Sequence, residues 1–239
     1  MTHLLIQAGF VILTLACYGV LLVEINKAVK KTSWPDARKR KFSFIFLTSL
    51  VVWAVFVSAW SLSGRMGNFG GFPFNVMPIF GIPLITIVAF TFSKSGKEIL
   101  IHIPIENIIR LQAFRFIVEL LLWALYLENA APVQMTFEGR NLDVLSGISA
   151  PVVAFLFAQN KISKTILVIW NIICLLLLVN IVVTAVLSMP TPFRVFMNEP
   201  ANTIVTEFPV SWLPALLVPL AYGLHFLSLR QLALQKKSS

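Results

Sequence analysis

Charged residues are scarce in this chain. Only 12% of its 239 residues are Asp, Glu, Lys or Arg, and 58% are hydrophobic, whereas soluble domains carry about 25% charged residues. An apolar helix needs about 20 residues to cross a bilayer, so the chain holds at most roughly eight to ten spans. The composition therefore predicts a polytopic integral membrane protein and excludes a separate soluble catalytic or DNA-binding domain.

Residues that carry common active-site chemistry are also few. The sequence has two aspartates, two cysteines that lie in apolar runs, and three histidines at different predicted depths. It lacks a phosphate-binding loop, His-Glu-x-x-His, Cys-x-x-Cys and Gly-x-Ser-x-Gly. Its last apolar segment has no lysine that could form a retinal Schiff base. We therefore assign no catalytic residue, no metal site and no cofactor from the sequence.

Seven apolar stretches are long enough to be membrane spans. They lie at about 3–24, 42–62, 76–93, 108–130, 142–159, 164–188 and 209–230. The sequence therefore predicts an all-α fold, in which residues 1–239 form a single bundle of seven transmembrane helices.

The distribution of lysine and arginine predicts the orientation. Fifteen of the nineteen cations fall on one side of the predicted bundle, and only Arg65, Arg140 and Arg194 fall on the other. Cytoplasmic loops are enriched in Lys and Arg, so we expect the N-terminus outside and the C-terminus in the cytoplasm. The basic segment 27–41 is typical of a loop that attracts anionic lipid head groups. We therefore expect membrane lipids, and no nucleic acid, as partners.

A polar cluster inside the predicted membrane region is the most specific feature. Gln112, Arg115 and Glu119 share one helical face, since residues three and four apart are neighbours on a helix. Asn171 and His225 fall at a similar depth on spans six and seven. A charged residue at this depth costs at least ~2.5–3.5 kcal/mol, so these five residues are predicted to bind a ligand. Alternatively, Arg115 and Glu119 pair with each other and the remaining residues hydrogen-bond between helices.

The predicted outer loops form a second candidate region. Residues 64–75, 132–141 and 189–208 mix glycines, prolines and aromatic residues, which favours a structured cap on the helix ends. The outer loop after span four supplies four further candidate site residues, which are Glu138, Arg140, Asn141 and Asp143.

Several strings in the second half of the chain are distinctive. They are QAFRFIVELLLW at 112–123, MTFEGRNLD at 135–143, PFR at 192–194, NEPANT at 198–203 and LHFLSLRQL at 224–232. Through these strings, residues 100–232 resemble a family of uncharacterised bacterial seven-span inner-membrane proteins. The resemblance implies a multi-pass protein of the bacterial inner (plasma) membrane and adds no mechanism.

Three functional hypotheses follow. The first is binding or transport of a small or lipid-like molecule, whose anionic or carbonyl group contacts Arg115 while Glu119 tunes the site or carries a proton. The second is a structural or accessory subunit that forms a homo-oligomer or joins a partner membrane protein through a small-residue face around Gly147. The third is an intramembrane enzyme acting on lipid, with Glu119 or Glu138 as the base.

Overall fold

All regular secondary structure in the described part of the chain is helical. The computed structural model describes residues 2–236, with side chains from 3 to 235. The α-helices are α1 (Thr2–Lys31), α2 (Asp36–Leu62), α3 (Met77–Phe92), α4 (Lys94–Leu100), α5 (Ile105–Leu111), α6 (Phe114–Leu127), α7 (Val144–Ala158), α8 (Lys164–Leu187) and α9 (Val218–Lys236). Three single 3₁₀ turns and one π-helical turn, Leu213–Leu217, complete the helical structure. The predicted all-α class is confirmed.

Among the described residues, four helical segments are long and apolar enough to cross a membrane. They are His3–Lys31, Asp36–Leu62, Lys164–Leu187 and Leu213–Gln235. A fifth is present if α3 and α4, which meet at a 73° bend, count as one broken span. The predicted fourth span is divided into α5 and α6, and α7 has only 15 residues. The helices are compatible with a membrane protein, but four or five of them, rather than seven, meet the length and composition of a full span.

Many large apolar side chains of these helices are exposed. Leu4 on α1 is 70% exposed, Phe44 on α2 is 69% exposed and Leu176 on α8 is 62% exposed. Soluble proteins rarely expose large contiguous apolar surfaces. This surface is compatible with contact to lipid, in agreement with the composition.

The bend between α3 and α4 is fixed by a local cap. The Ser93 hydroxyl accepts a hydrogen bond from the Gly96 amide at 2.9 Å and donates one to the Phe90 carbonyl at 2.8 Å. A Cβ atom on Gly96 would lie 2.0 Å from that same carbonyl oxygen. Glycine is therefore required where α4 turns back, and the backbone of Phe90 is held in place.

The π-helical turn before α9 leaves backbone carbonyls that side chains satisfy. Pro219 has no amide hydrogen, so it cannot donate to the carbonyl of Ala215 four residues earlier. The Trp53 indole donates to that carbonyl at 2.9 Å instead. The Tyr18 hydroxyl donates to the neighbouring Leu216 carbonyl at 3.0 Å. These two bonds attach α1 and α2 to the π-helical turn that leads into α9.

One end of the bundle, which we call the basic end, gathers the helix termini that carry most of the lysines and arginines. The Trp34 indole and the Ser33 hydroxyl, in the α1–α2 loop, donate to the Glu98 carboxylate at 2.6 and 2.8 Å. The hydrogen bonds from Ser33 and then Trp34 lower the pKa of Glu98 below its ordinary value of 4.5. Gln231 of α9 donates to the Leu100 carbonyl at 3.0 Å. The loop is therefore tied to α4, and α4 to α9.

The opposite end is covered by residues 64–75, 132–141 and 189–208, which we call the cap end. Phe72 and Phe193 from two of these segments lie 5.8 Å apart between ring centroids. Gln134, in segment 132–141, donates to the Ser188 hydroxyl at the end of α8 at 3.0 Å. The three segments therefore pack on one another and on the helix ends, as the sequence predicted.

The small-residue face of α7 packs inside the chain. Ser146, Gly147 and Ala150 are fully buried. A Cβ atom on Gly147 would lie 2.2 Å from the Phe116 amide nitrogen of α6. This face, which the sequence suggested for a partner helix, is therefore used to bring α7 against α6.

Candidate functional site

Arg115 is the centre of a buried polar network. It lies in the first turn of α6 and is only 2% exposed. Its Nε donates to Asp143 Oδ2 at 2.7 Å, and its Nη2 donates to the other carboxylate oxygen. The pair is bidentate, which is the strong geometry for an arginine and a carboxylate. Arg115 therefore pairs with Asp143. The structural alternative from the sequence, in which Arg115 pairs with Glu119, is wrong about the partner.

The remaining contacts of Arg115 join α6 to α8 and α9. Its Nη1 donates to His225 Nε2 at 2.8 Å, and its Nη2 donates to the Cys174 carbonyl at 3.1 Å. A guanidinium has only donors, so His225 Nε2 accepts and the ring proton lies on Nδ1. That Nδ1 lies 2.9 Å from Asn171 Oδ1, to which it donates. Asn171 in turn donates to the Ser228 hydroxyl at 3.1 Å.

Asp143 reaches Arg115 because the preceding loop folds back into the bundle. The Asn141 side-chain oxygen accepts from the Asp143 amide at 3.1 Å, in a turn typical of asparagine. Asn141 Nδ2 donates to the Met135 carbonyl at 3.0 Å. A Cβ atom on Gly139 would lie 2.4 Å from the Val133 carbonyl oxygen. This compact loop places Asp143, the residue before α7, in the buried network.

Glu119 lies one turn after Arg115 on α6 and is also 2% exposed. Its Oε2 accepts from Asn141 Nδ2 at 2.5 Å. No lysine, arginine or histidine of the described residues forms an ion pair with it. Glu119 instead lines an otherwise apolar cavity of about 60 Å³ near Met135 and Met189. Since a water needs about 10–15 Å³ of such space, the cavity has room for a few waters and is too small for a lipid-like ligand.

Gln112 is buried but separate from this network. Its Nε2 donates to the Ala221 carbonyl of α9 at 3.0 Å, at the break between α5 and α6. Its Oε1 is a buried acceptor without a hydrogen-bond partner in the described structure. The predicted cluster is therefore divided: Arg115, His225 and Asn171 are bonded in series, Glu119 joins through Asn141, and Gln112 bonds elsewhere.

Two of the four predicted outer-loop residues lie on the surface of the cap end. Glu138 accepts from the Trp123 indole at 2.7 Å. The Arg140 guanidinium lies 5.1 Å from the ring centre of Phe196. The other two, Asn141 and Asp143, belong to the buried network. One sequence signal could have connected Asp143 to Arg115. The chain has only two aspartates, and Asp143 is the one that follows the predicted span containing Arg115.

The larger cavities lie between other helices. Cavity A, of about 370 Å³, is near the basic end and is bounded by α1, α3, α4, α5 and α9, with Glu24, Asn107 and Arg110 as its charged or amide-bearing residues. Glu24 accepts from Lys27 and from Asn107, both at 2.9 Å. The exposed Arg110 side chain makes no hydrogen bond or ion pair with any part of the chain that the structure describes. Cavity A therefore has apolar walls and one free cation at its mouth.

Two further cavities continue from cavity A into the bundle. Cavity B, of about 110 Å³, shares Leu21, Leu224 and Leu227 with cavity A. Cavity C, of about 450 Å³, lies between α2, α3 and the π-helical turn, and shares Tyr18 and Leu50 with cavity B. The three cavities follow one another from the basic end toward the middle of the chain's helices.

Metal ligands are not gathered at any of these places. Within residues that the structure describes, no group of three or more His, Cys, Asp and Glu side chains is arranged to hold a metal ion. Cys17 and Cys174 are both buried and free.

Comparison with protein families gives a match that covers the part of the chain that holds the network. A family described as "Domain of unknown function (DUF8737)" matches residues 71–233, from the first cap segment to α9. No curated protein and no solved structure matches the chain. Since the match covers more than half of the sequence, the chain belongs to the DUF8737 family.

Proposed function

We propose that this protein is a multi-pass protein of the bacterial inner membrane that binds an anionic, lipid-like molecule in cavity A. The single observation that carries the proposal is the free Arg110 guanidinium at the mouth of an apolar cavity of about 370 Å³. Pockets for small molecules have volumes of about 300–1,000 Å³ and apolar walls with a few polar groups. The head group would bind Arg110 and the tail would lie along Leu21 and Leu224.

The proposed ligand class is the one expected from the sequence, but its place is different. Arg115 uses four of its five N–H groups on Asp143, His225 and the Cys174 carbonyl. It therefore has little capacity left for a ligand, and Arg110 has all of its capacity left. We assign the Arg115 network to holding α6, α7, α8 and α9 together, beside a ligand site at the basic end.

The proposed topology has seven membrane segments, with the N-terminus outside and the basic end in the cytoplasm. In this topology, α3 and α7 are short segments and the pair α5–α6 is a broken one. The scarcity of cations at the cap end supports the orientation. Cavity A then opens toward the cytoplasmic leaflet, where anionic lipids concentrate.

A binding measurement tests the proposed function. The purified protein in phosphatidylcholine nanodiscs is titrated with laurate, and the bound laurate is counted. We expect saturable binding that Arg110→Ala weakens by about ten- to hundredfold, since a hydrogen bond to a charged group contributes about 1.5–3 kcal/mol. Arg40→Ala is the matched control, because it removes the same charge from an exposed position at the same end. Equal losses in both variants, or no saturable binding, would refute the proposal.

The accessory-subunit alternative has one remaining surface to support it. The small-residue face of α7 is buried within the chain. By contrast, α2 is predominantly apolar from Phe42 onward, and only 6% of its apolar stretch is buried. If α2 packs on a partner or on a second copy, crosslinks from cysteines placed at Phe44 would form between chains in native membranes. Absence of such crosslinks would leave α2 facing lipid.

A further inference from the structure

Phe90 of α3 lies at the meeting point of the three apolar cavities. It is the residue that lines cavity A, cavity B and cavity C alike. Its ring contacts Phe42 of α2, with 6.1 Å between the ring centroids. Cavity B, which lies between the two larger cavities, is far smaller than either of them. The aromatic side chain therefore narrows the apolar path just where it would pass from cavity A to cavity C.

The position of Phe90 is fixed by its backbone. Its carbonyl accepts from the Ser93 hydroxyl, and the close approach of Gly96 to the same carbonyl leaves no space for the α3–α4 bend to shift. A side chain on such a backbone can change rotamer, but its Cβ cannot move away. Phe90 is thus suited to act as a fixed wall.

The far side of that wall opens to the surface. Cavity C is lined by Ile45 of α2 and Ile82 of α3, which are 50% and 49% exposed. An acyl chain that passed Phe90 would therefore reach the cleft between α2 and α3, and through it the bilayer. A chain that stops at Phe90 remains in cavities A and B.

We infer that Phe90 is a specificity-determining residue that limits the acyl-chain length of the anionic amphiphile bound at Arg110. The inference rests on the proposed function, because it requires the head group to lie at the mouth of cavity A. Short chains fit in cavities A and B, along the near side of the Phe90 ring. Longer chains meet the Phe90 ring and must fold back or displace it.

The discrimination arises from packing and not from the hydrophobic effect. A tail that moves from the bilayer into cavity A leaves one apolar medium for another, so each added methylene gains little. Inserting methylenes into an already packed interior costs about 1–3 kcal/mol, which corresponds to about five- to hundredfold in affinity. Wild-type protein should therefore bind laurate about five- to hundredfold more tightly than stearate.

The test compares these two probes in nanodiscs of phosphatidylcholine. In Phe90→Ala, the stearate-to-laurate ratio of dissociation constants should fall toward one, because cavities A, B and C then join. Phe90→Leu keeps an apolar side chain and replaces the alanine variant in this test if that variant does not fold. It should lower the stearate-to-laurate ratio less than Phe90→Ala does. Phe44→Ala, which removes an aromatic ring exposed on α2 outside all three cavities, should leave the ratio as in wild type.

The outcomes separate this inference from the proposed function. If laurate binding depends on Arg110 but every variant shows the same stearate-to-laurate ratio, the role of Phe90 is wrong and the proposed function stands. If neither probe binds saturably to the wild type, both are wrong. A ratio that changes equally in Phe90→Ala and Phe44→Ala would also overturn the inference, since a general loss of aromatic packing would then explain it.

Discussion

Removing the Asp143 carboxylate should destabilise the protein by several kcal/mol. In Asp143→Ala, the Arg115 guanidinium would remain buried and lose the acceptors of two N–H groups. Two interhelical hydrogen bonds within a membrane protein contribute about 1–2 kcal/mol together. Leaving an arginine as an unpaired buried charge costs about 3–5 kcal/mol. We therefore expect a loss of about 2–5 kcal/mol in the free energy of unfolding, measured by reversible denaturation in mixed micelles.

A double-mutant cycle with Arg115→Met shows whether this loss comes from the pair. Arg115→Met alone leaves the Asp143 carboxylate buried without a cation and should be about as damaging. The variant that carries both changes buries neither charge, so it should recover much of the loss. Full recovery is not expected, because His225 Nε2 would lose its donor, which costs about 1–3 kcal/mol.

Glu119→Gln supplies the comparison for this cycle. Its amide oxygen can still accept from Asn141, and Arg115 makes no hydrogen bond to Glu119. Coupling between positions 115 and 119 should therefore be much smaller than coupling between 115 and 143. Additive losses at 115 and 143, or a larger coupling to 119, would refute the pairing that the structure gives.

Three further measurements test the surrounding structure. Gly147→Ala should destabilise α7 against α6 and lower the thermal midpoint, whereas Gly19→Ala, where a Cβ meets nothing within 4 Å, should not. Trp53→Phe should lower the free energy of unfolding by about 1–3 kcal/mol, because the Ala215 carbonyl loses its donor. The control is Trp123→Phe, because the indole of Trp123 donates to the exposed Glu138. A loss in Trp53→Phe that is no larger than in the control would contradict this prediction. Since the hydrogen bonds lower the pKa of Glu98 in the folded protein, their stabilisation is present above pH 4.5 and is lost as the pH falls through the lowered pKa. Trp34 fluorescence should report this loss on acidification, and Glu98→Gln should abolish the transition.

The sequence predicted which polar residues lie in the buried interior, and it failed to predict how they bond. The helical offsets of Arg115 and Glu119 follow from the geometry of α6 alone, and the depths of Asn171 and His225 follow from counting residues along straight helices. Asp143 could not be placed in this way. Its position depends on how the chain after α6 folds back, which is a property of tertiary structure.

The loop that folds back after α6 begins with an asparagine, which is a helix-end signal that the sequence shows. Asn129, just after α6, has a positive φ of 55°, and the Ala130 amide bonds back to the Leu125 carbonyl at 2.8 Å. Asparagine tolerates this left-handed conformation at a helix end better than most residues. It predicts where α6 ends, but not that the loop beyond it enters the bundle and delivers a carboxylate to Arg115.

The two arginines of the α5–α6 region show why a charge within an apolar segment is an insufficient sign of a ligand site. Arg115 is deeply buried, yet its partners already satisfy nearly all of its donors. Arg110, five residues earlier and exposed, has no side-chain partner among the described residues and borders an apolar cavity. A buried charge must be compensated by partners within the fold, as Arg115 is. A ligand can instead bind to a cation that has free N–H groups beside an apolar cavity, as Arg110 does. By that criterion, Arg110 is the better candidate for the proposed ligand site, and Arg115 is better suited to holding the helices together.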